Sequence, residues 1–415
     1  MNNYILIFVL FFSFNLFCQN KSNFNLNIPH ETTIYSSEDT IIGFPLITNH
    51  DFNFLINNSF SEFSDFNNAV LTFDFTDYVK KNKPLSFNFF SENNLLYLGI
   101  PKIKSYSAFG FKFSSYFDLD LSGEIINLFW NGNSQFADEI IHFNNNTSSF
   151  LQYSSLFFQY SSVLSQNLMY GLRVSLLHGI NYFDLNKGNF SLQSYTNSTT
   201  PYSSQIQTDI FFESSRANIF GISNPGLSFN FGLNYSLRKF QFLFDLHNLG
   251  FIYWNKRTSQ HRSVSDYLFN GVNYTMDQIL TEEISTTIDS LENIFALNNI
   301  SSNSFFSYTP IKIRFMSIYN LNFSNKFFID YKLIQNSSSK FRHYLFFGLD
   351  KCIQKNTSLK LAYNINEYNF DNFKFSITRK FKNYLVSINT NNLISILNTT
   401  KSNYLNFQFG VYYFF

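Results

Sequence analysis

Charge is scarce in this sequence. Asp, Glu, Lys and Arg make up 14% of its 415 residues, where a typical soluble domain carries about 25%. The 29 basic and 28 acidic residues nearly cancel, to a net charge of +1. That balance gives a nucleic-acid partner no electrostatic footing. Cysteine is almost missing: Cys18 and Cys352 alone exclude a disulfide framework and a CxxC metal site. There are 7 prolines and 15 glycines, no Pro/Gly/Ser-rich linker and no break in composition. A single large unit is expected, although long soluble chains usually divide. The signatures GxSxG, HExxH, GxxxxGK[ST] and GxGxxG are absent, and no cofactor or metal is implied. Long apolar runs are limited to residues 4–17, YILIFVLFFSFNLF. This run is short for a membrane helix, which needs about 20 residues. It fits a secretory signal over 1–18, cut near Cys18–Gln19, though its n-region lacks Lys and Arg. Lipidation at Cys18 is the alternative. Without a spanning helix, a membrane location requires a closed β-barrel, because lipid offers no partner to unpaired backbone groups.

Aromatic residues are abundant, at 20%, with 57 Phe and 26 Tyr. Lipid contact or AT-rich codon usage each produces such a composition, so the pattern has to decide. In Gly226–Trp254, GLSFNFGLNYSLRKFQFLFDLHNLGFIYW, apolar residues fall at every second position, and the parity flips once. Leu227, Phe229, Phe231, Leu233, Tyr235 and Leu237 are odd; Phe240, Phe242, Phe244 and Leu246 are even. Period 2 signals a strand with one apolar face. A two-residue turn at Arg238–Lys239 sets Leu237 opposite Phe240 and keeps that face continuous.

The C-terminal half repeats the pattern. Ile311, Ile313, Phe315, Tyr319 and Leu321 share a face, as do Phe327, Ile329, Tyr331 and Leu333. The last strand, YLNFQFGVYYFF, alternates to Phe415, as the final strands of bacterial outer-membrane barrels do. With that strand running toward the periplasm, the turns at 382–383, 354–356, 324–326, 238–239 and 165–167 fall on one side. The longer connections near 393–402, 256–307, 214–225 and 131–149 fall on the other. Short periplasmic turns and long outer loops are the known asymmetry of such barrels. The expected fold is all-β: a transmembrane antiparallel β-barrel of about 14 strands, within 12–16, spanning residues 44–415. Residues 19–43 are left as a periplasmic or plug segment.

The opposite face predicts the lumen. Arg173, Asp245, Lys312, Arg314, Asp330, Lys332, Arg342, Asp350, Lys360 and Lys374 all alternate against the apolar side. Each would cost roughly 2–4 kcal/mol facing lipid at mid-membrane depth, so they point inward. Seven are basic and three acidic. They make either an electropositive pore or ligand site, or a lumen filled by ion pairs and hydrogen bonds. His247 lies two residues from Asp245 on the same face; such a pair is read as structural rather than catalytic.

One outer connection differs from the rest. Residues 263–311 hold no Lys or Arg but six acids. Within them Leu280, Ile284, Ile288, Leu291 and Phe295 recur at helical spacing. The stripe suits a lid, a docking surface, or a helix packed on the barrel rim.

Several blocks carry a resemblance. FDLHNLGFIYW (Phe244–Trp254) is similar to the "DLGFIxW" strand end of a Bacteroidota outer-membrane barrel family of uncharacterised function. Gly43–Asp65, LFWNGN (Leu128–Asn133), Gly171–Leu192 and FNGVNYTMDQIL (Phe269–Leu280) resemble further blocks of that family, in order. This chain departs from it in carrying His247 and Asn248 inside the Asp–Leu–Gly run. The family resembles the long-chain fatty acid transporter barrels and the barrel partners of type IX secretion and gliding. The resemblance implies a non-enzymatic protein that transports a small hydrophobic molecule passively. The alternative is a scaffold for a secretion, gliding or adhesin partner at the surface. It transfers no catalytic or binding residue.

Overall fold

The Gly226–Trp254 stretch folds as the hairpin its parity requires. In the computed structural model Leu237 pairs with Phe240, Tyr235 with Phe242 and Leu233 with Phe244. Arg238 takes a left-handed conformation, φ 51°, to close the turn. The structure describes residues 41–43, 49–56, 64–67, 70–73 and the chain from 84 on, apart from 133–135, 144–145, 196–202, 220–222, 270–297, 323, 336–339, 355, 367–371, 394–403 and 415.

Hairpins of this kind close into a 14-strand antiparallel barrel. Its first strand, β1, comes in two pieces, Ile41–Gly43 and Asn49–Ile56. There follow β2 (Leu85–Pro101), β3 (Ser105–Leu121), β4 (Thr147–Ser165), β5 (Leu168–Tyr195), β6 (Pro225–Leu237) and β7 (Phe240–Trp254). The wall continues with β8 (Lys312–Asn320), β9 (Asn325–Gln335), β10 (Phe341–Gln354) and β11 (Thr357–Asn366). It ends with β12 (Asn372–Phe381), β13 (Tyr384–Thr390) and β14 (Tyr404–Phe414). Both pieces of β1 pair with β14 on one side and β2 on the other, which completes the ring. Ile41–Gly43, which precedes the boundary expected at 44, already pairs within the wall. Without Ile41–Gly43 the ends of β2 and β14 would present an open sheet edge.

The connections sort by side. β2–β3, β4–β5, β6–β7, β8–β9, β10–β11 and β12–β13 are joined by two to four residues each. The opposite end holds the long connections, including 196–224 and 255–311. There β5 runs on past the wall. Its residues 181–195 pair with Ser203–Arg216, which pairs with Thr258–Phe269 and then Asn298–Ser301. The 256–307 connection thus begins as a strand of an outer sheet, because Ser203–Arg216 offers it a free edge. The helical stripe of Leu280, Ile284, Ile288, Leu291 and Phe295, and the signal segment, lie outside the described residues. A helix that sequence periodicity does not single out, α1 (Gly123–Asn131), caps β3; Ser122 accepts from the Ile125 N–H at its start.

The barrel is inside-out relative to a protein in water. Ser114, Asp245 and Asn364 are fully buried, while Phe229, Phe315 and Leu176 are 50%, 52% and 60% exposed. Burying Asn and Asp while presenting Phe and Leu is favourable only where lipid lies outside and polar partners within. No helix among the described residues is long and apolar enough to span a membrane. The wall is that of a membrane-spanning β-barrel.

Candidate functional site

Strand parity delivers the polar side chains to one chamber. A cavity of about 230 Å³ lies inside the wall, lined from β1, β2, β3 and β5 through β14. Among the ten lumen residues named from the sequence, Arg173, Lys312, Arg314, Lys332, Asp350, Lys360 and Lys374 line it. Asp245, Asp330 and Arg342 are buried in the wall and are not in its lining. The structure adds residues that sequence reasoning missed, Asp51, Glu92, Lys112, Lys326 and Asn248, and His247, read from the sequence on the face of Asp245, lines the cavity with them.

Register explains how distant residues meet. One row of paired residues runs Lys326, Asp350, Lys360, Ser376, Asn389, Gln408, Asp51, Glu92 across eight neighbouring strands, β9 to β14 and on to β1 and β2. All eight line the cavity. Within the row Lys360 pairs with Asp350 at 3.5 Å, and Asn389 donates to Gln408 at 3.0 Å. Asp51 accepts from Asn53 at 2.7 Å and Asn406 at 3.0 Å.

Two ion-pair knots organise the chamber. Glu92 on β2 receives Lys112 from β3 at 2.8 Å and Lys312 from β8 at 2.5 Å. The Tyr116 hydroxyl donates to the same carboxylate. Lys312 also lies 4.5 Å from the ring centre of Phe90, which recovers part of its lost hydration. In the second knot Arg314 grips Asp330 with two nitrogens, at 2.8 and 3.1 Å, and Lys332 stands 3.9 Å away. That fork is the strong geometry for a carboxylate. Arg173 donates to Gln159 at 3.1 Å and lies 4.3 Å over the Phe157 ring.

A bulge in β7 adds two consecutive residues to the lumen. Phe231 pairs with Leu246 but Phe229 with Leu249, so His247 and Asn248 together oppose Asn230. Asn248 adopts φ 59° and its N–H donates to the Asn230 side chain at 2.8 Å. The bulge is formed by the two residues that stand inside the Asp–Leu–Gly run. It shifts the parity of the strand: Leu243 and Asp245 face inward before it, Ile252 and Trp254 after it.

Apolar side chains complete the chamber. Leu243, Met316, Ile318 and Ile334 form a patch on β7, β8 and β9. Toward the outer end Trp254 is fully buried against Tyr182 and Phe305. At the short-turn end Tyr97, Tyr106, Phe157 and Tyr412 pack together. No group of three or more His, Cys, Asp or Glu with metal-holding geometry occurs among the described residues.

Residues 35–407 match the model of a family described as "Family of unknown function (DUF5723)". No curated protein matches the chain. Solved structures similar to it include the toluene transporter TbuX of Ralstonia pickettii, at 8% identity and a TM-score of 0.44, covering 92% of this chain and 90% of that one. The toluene transporter TodX of Pseudomonas putida is similar at 8% identity and a TM-score of 0.44, with 93% and 92% covered. A FadL homologue of Pseudomonas aeruginosa is similar at 11% identity and a TM-score of 0.41, with 91% and 90% covered.

Proposed function

The chain belongs to the DUF5723 family, whose function is unknown, and we propose that its barrel carries a small molecule with an apolar part passively across the outer membrane. The observation that carries this reading is the lumen chamber itself, with the patch of Leu243, Met316, Ile318 and Ile334 beside a polar wall. A chamber with apolar lining and a few placed polar groups is the usual form of a small-molecule site. The Glu92 knot crosses the lumen, which favours a binding step over a wide water-filled pore. The reading is non-enzymatic.

The test fills the chamber. Leu243→Trp with Ile318→Trp should slow the entry of N-phenyl-1-naphthylamine into whole cells relative to the unchanged barrel. Equal entry rates, with equal amounts of folded barrel, would count against transport through the lumen.

A second reading has one observation in its favour. The outer sheet beyond β5 presents Val264 and Leu268, 66% and 52% exposed, on the strand Thr258–Phe269. Such a platform suits a scaffold for a surface or secretion partner. Charged replacements there would release that partner and leave dye entry unchanged.

A further inference from the structure

The short-turn end of the barrel carries charge of one sign. Its six turns, residues 101–105, 164–168, 237–240, 320–326, 351–358 and 379–384, contain ten Lys and Arg and no Asp or Glu. The opposite end mixes exposed Arg216, Lys256, Arg257 and Arg262 with exposed Asp138, Glu139 and Asp266. Among the turn cations Lys104, Arg238, Lys239, Arg379 and Lys382 are exposed. None of these five is in an ion pair among the described residues.

These cations stand at the edge of the lipid-facing surface. Leu237 and Phe240, 46% and 44% exposed, flank Arg238 and Lys239. Ile103, 96% exposed, precedes Lys104, and exposed Phe381 precedes Lys382. Outward aromatic pairs, Phe240 with Tyr319 at 4.8 Å and Tyr384 with Tyr413 at 5.0 Å, mark the level of an interfacial girdle. Arg379 stands on the outer face itself. Its neighbour Thr378 lines the lumen cavity, and its own guanidinium lies 4.7 Å from the ring centre of Phe381. A cation held at girdle level among apolar side chains reaches the headgroup phosphates of the surrounding lipid.

Placement around the ring decides between a lipid surface and a docked protein. The turns with these cations join β2 to β3, β6 to β7 and β12 to β13. They stand four, six and four places apart in the 14-strand wall. One docked protein needs its charges on one side of the rim, whereas a lipid leaflet meets the whole circumference.

We propose that this cationic rim binds the headgroups of anionic phospholipid in the leaflet at the short-turn end and holds that lipid as a collar around the barrel. The collar is independent of what the lumen carries.

The experiment equilibrates the purified barrel in nonionic detergent with equal amounts of phosphatidylglycerol and phosphatidylethanolamine of matched chains. The barrel is then isolated by size exclusion, and the lipid it retains is quantified by mass spectrometry. Phosphatidylglycerol should be retained at least about fivefold over phosphatidylethanolamine, the gain that roughly one cation near an anionic surface provides. Combined Arg238→Gln, Lys239→Gln, Arg379→Gln and Lys382→Gln should bring the ratio close to one, and Arg238→Lys with Arg379→Lys should keep it. Arg216→Gln, Lys256→Gln and Arg257→Gln together, at the opposite end, should also keep it. Heat-modifiable mobility on a gel verifies that each variant is folded. Equal retention of the two lipids by the unchanged barrel overturns the collar and leaves the rim to a soluble acidic partner. A preference that survives the four rim substitutions, or that is lost with the three at the opposite end, overturns it as well.

Discussion

Glu92 and Lys312 meet at 2.5 Å although their strands, β2 and β8, stand six places apart in the 14-strand wall. The contact therefore crosses the lumen rather than running along the sheet. Lys340, beside β10, reaches Asp120 on β3 in the same crosswise manner. The barrel is braced from within, and its interior is divided by side chains.

The brace predicts a stability effect. Glu92→Gln leaves Lys112 and Lys312 near each other without a carboxylate. Breaking one partner of a largely buried pair costs several kcal/mol; with residual solvent at Glu92, about 2–3 kcal/mol is expected. The urea midpoint of the refolded barrel should fall accordingly, and adding Lys312→Met should recover part of the loss. The same variant should raise conductance across a planar bilayer. Unchanged midpoint and conductance would mean that the knot carries no structural load.

The face assignment predicts chemical reactivity. Phe229 is 50% exposed and Asn230 is 4% exposed, on opposite sides of β6. Phe229→Cys should react with membrane-soluble thiol reagents only, and Asn230→Cys with small aqueous ones only. Phe229→Arg should cost roughly 2–4 kcal/mol near the bilayer midplane. Reversed labelling would turn the barrel outside in.

The β7 bulge predicts a sharp dependence on chain length. Deleting His247 and Asn248 together moves Leu249–Trp254 by one position against β6 and would send Leu249 inward and Trp254 into lipid. The deletion should yield little folded barrel in heat-modifiability assays. Asn248→Gly, which tolerates φ 59°, should fold normally. Asn248→Val should be destabilised by about 1–2 kcal/mol, because a β-branched residue resists the left-handed region.

Trp254 reports on the outer half of the lumen. Its indole donates to Ser307 at 2.8 Å, and a Cβ added at Gly179 would stand 2.6 Å from its ring. Gly179→Ala should displace that ring. With Trp130→Phe removing the other tryptophan, a red-shifted emission is the expected result. Unchanged emission would mean that the ring has free space beside it.

Strand pairing and lumen facing were legible wherever alternation ran unbroken. In β8 to β12 Arg314, Lys332 and Lys374 each stand beside a Phe, Ile or Leu of the outward face, so parity alone assigns them. It was less legible in β2. There Phe90 points inward like Asn88, and a register shift between Asn94 and Leu96 moves the phase again, so Glu92 carried no signal. Lys112 did carry one: Phe109, Phe111 and Phe113 alternate around it. Lys326 read as part of a turn because β9 starts at Asn325, two residues before its apolar pattern begins at Phe327. The strand Thr258–Phe269 read as loop because TSQHRSVSDYLF is mostly polar; its pairing comes from a tertiary edge, Ser203–Arg216, rather than from local pattern. The meeting of Glu92 with Lys312 depends on closure of the whole ring, which no local window contains.

Native mass spectrometry of the barrel extracted mildly from its own outer membrane tests the central claim most directly. The account predicts a bound small molecule with an apolar part, lost in the Leu243→Trp, Ile318→Trp variant, with no stoichiometric protein partner. An empty lumen together with a stoichiometric protein partner would contradict it and assign the barrel to a surface assembly.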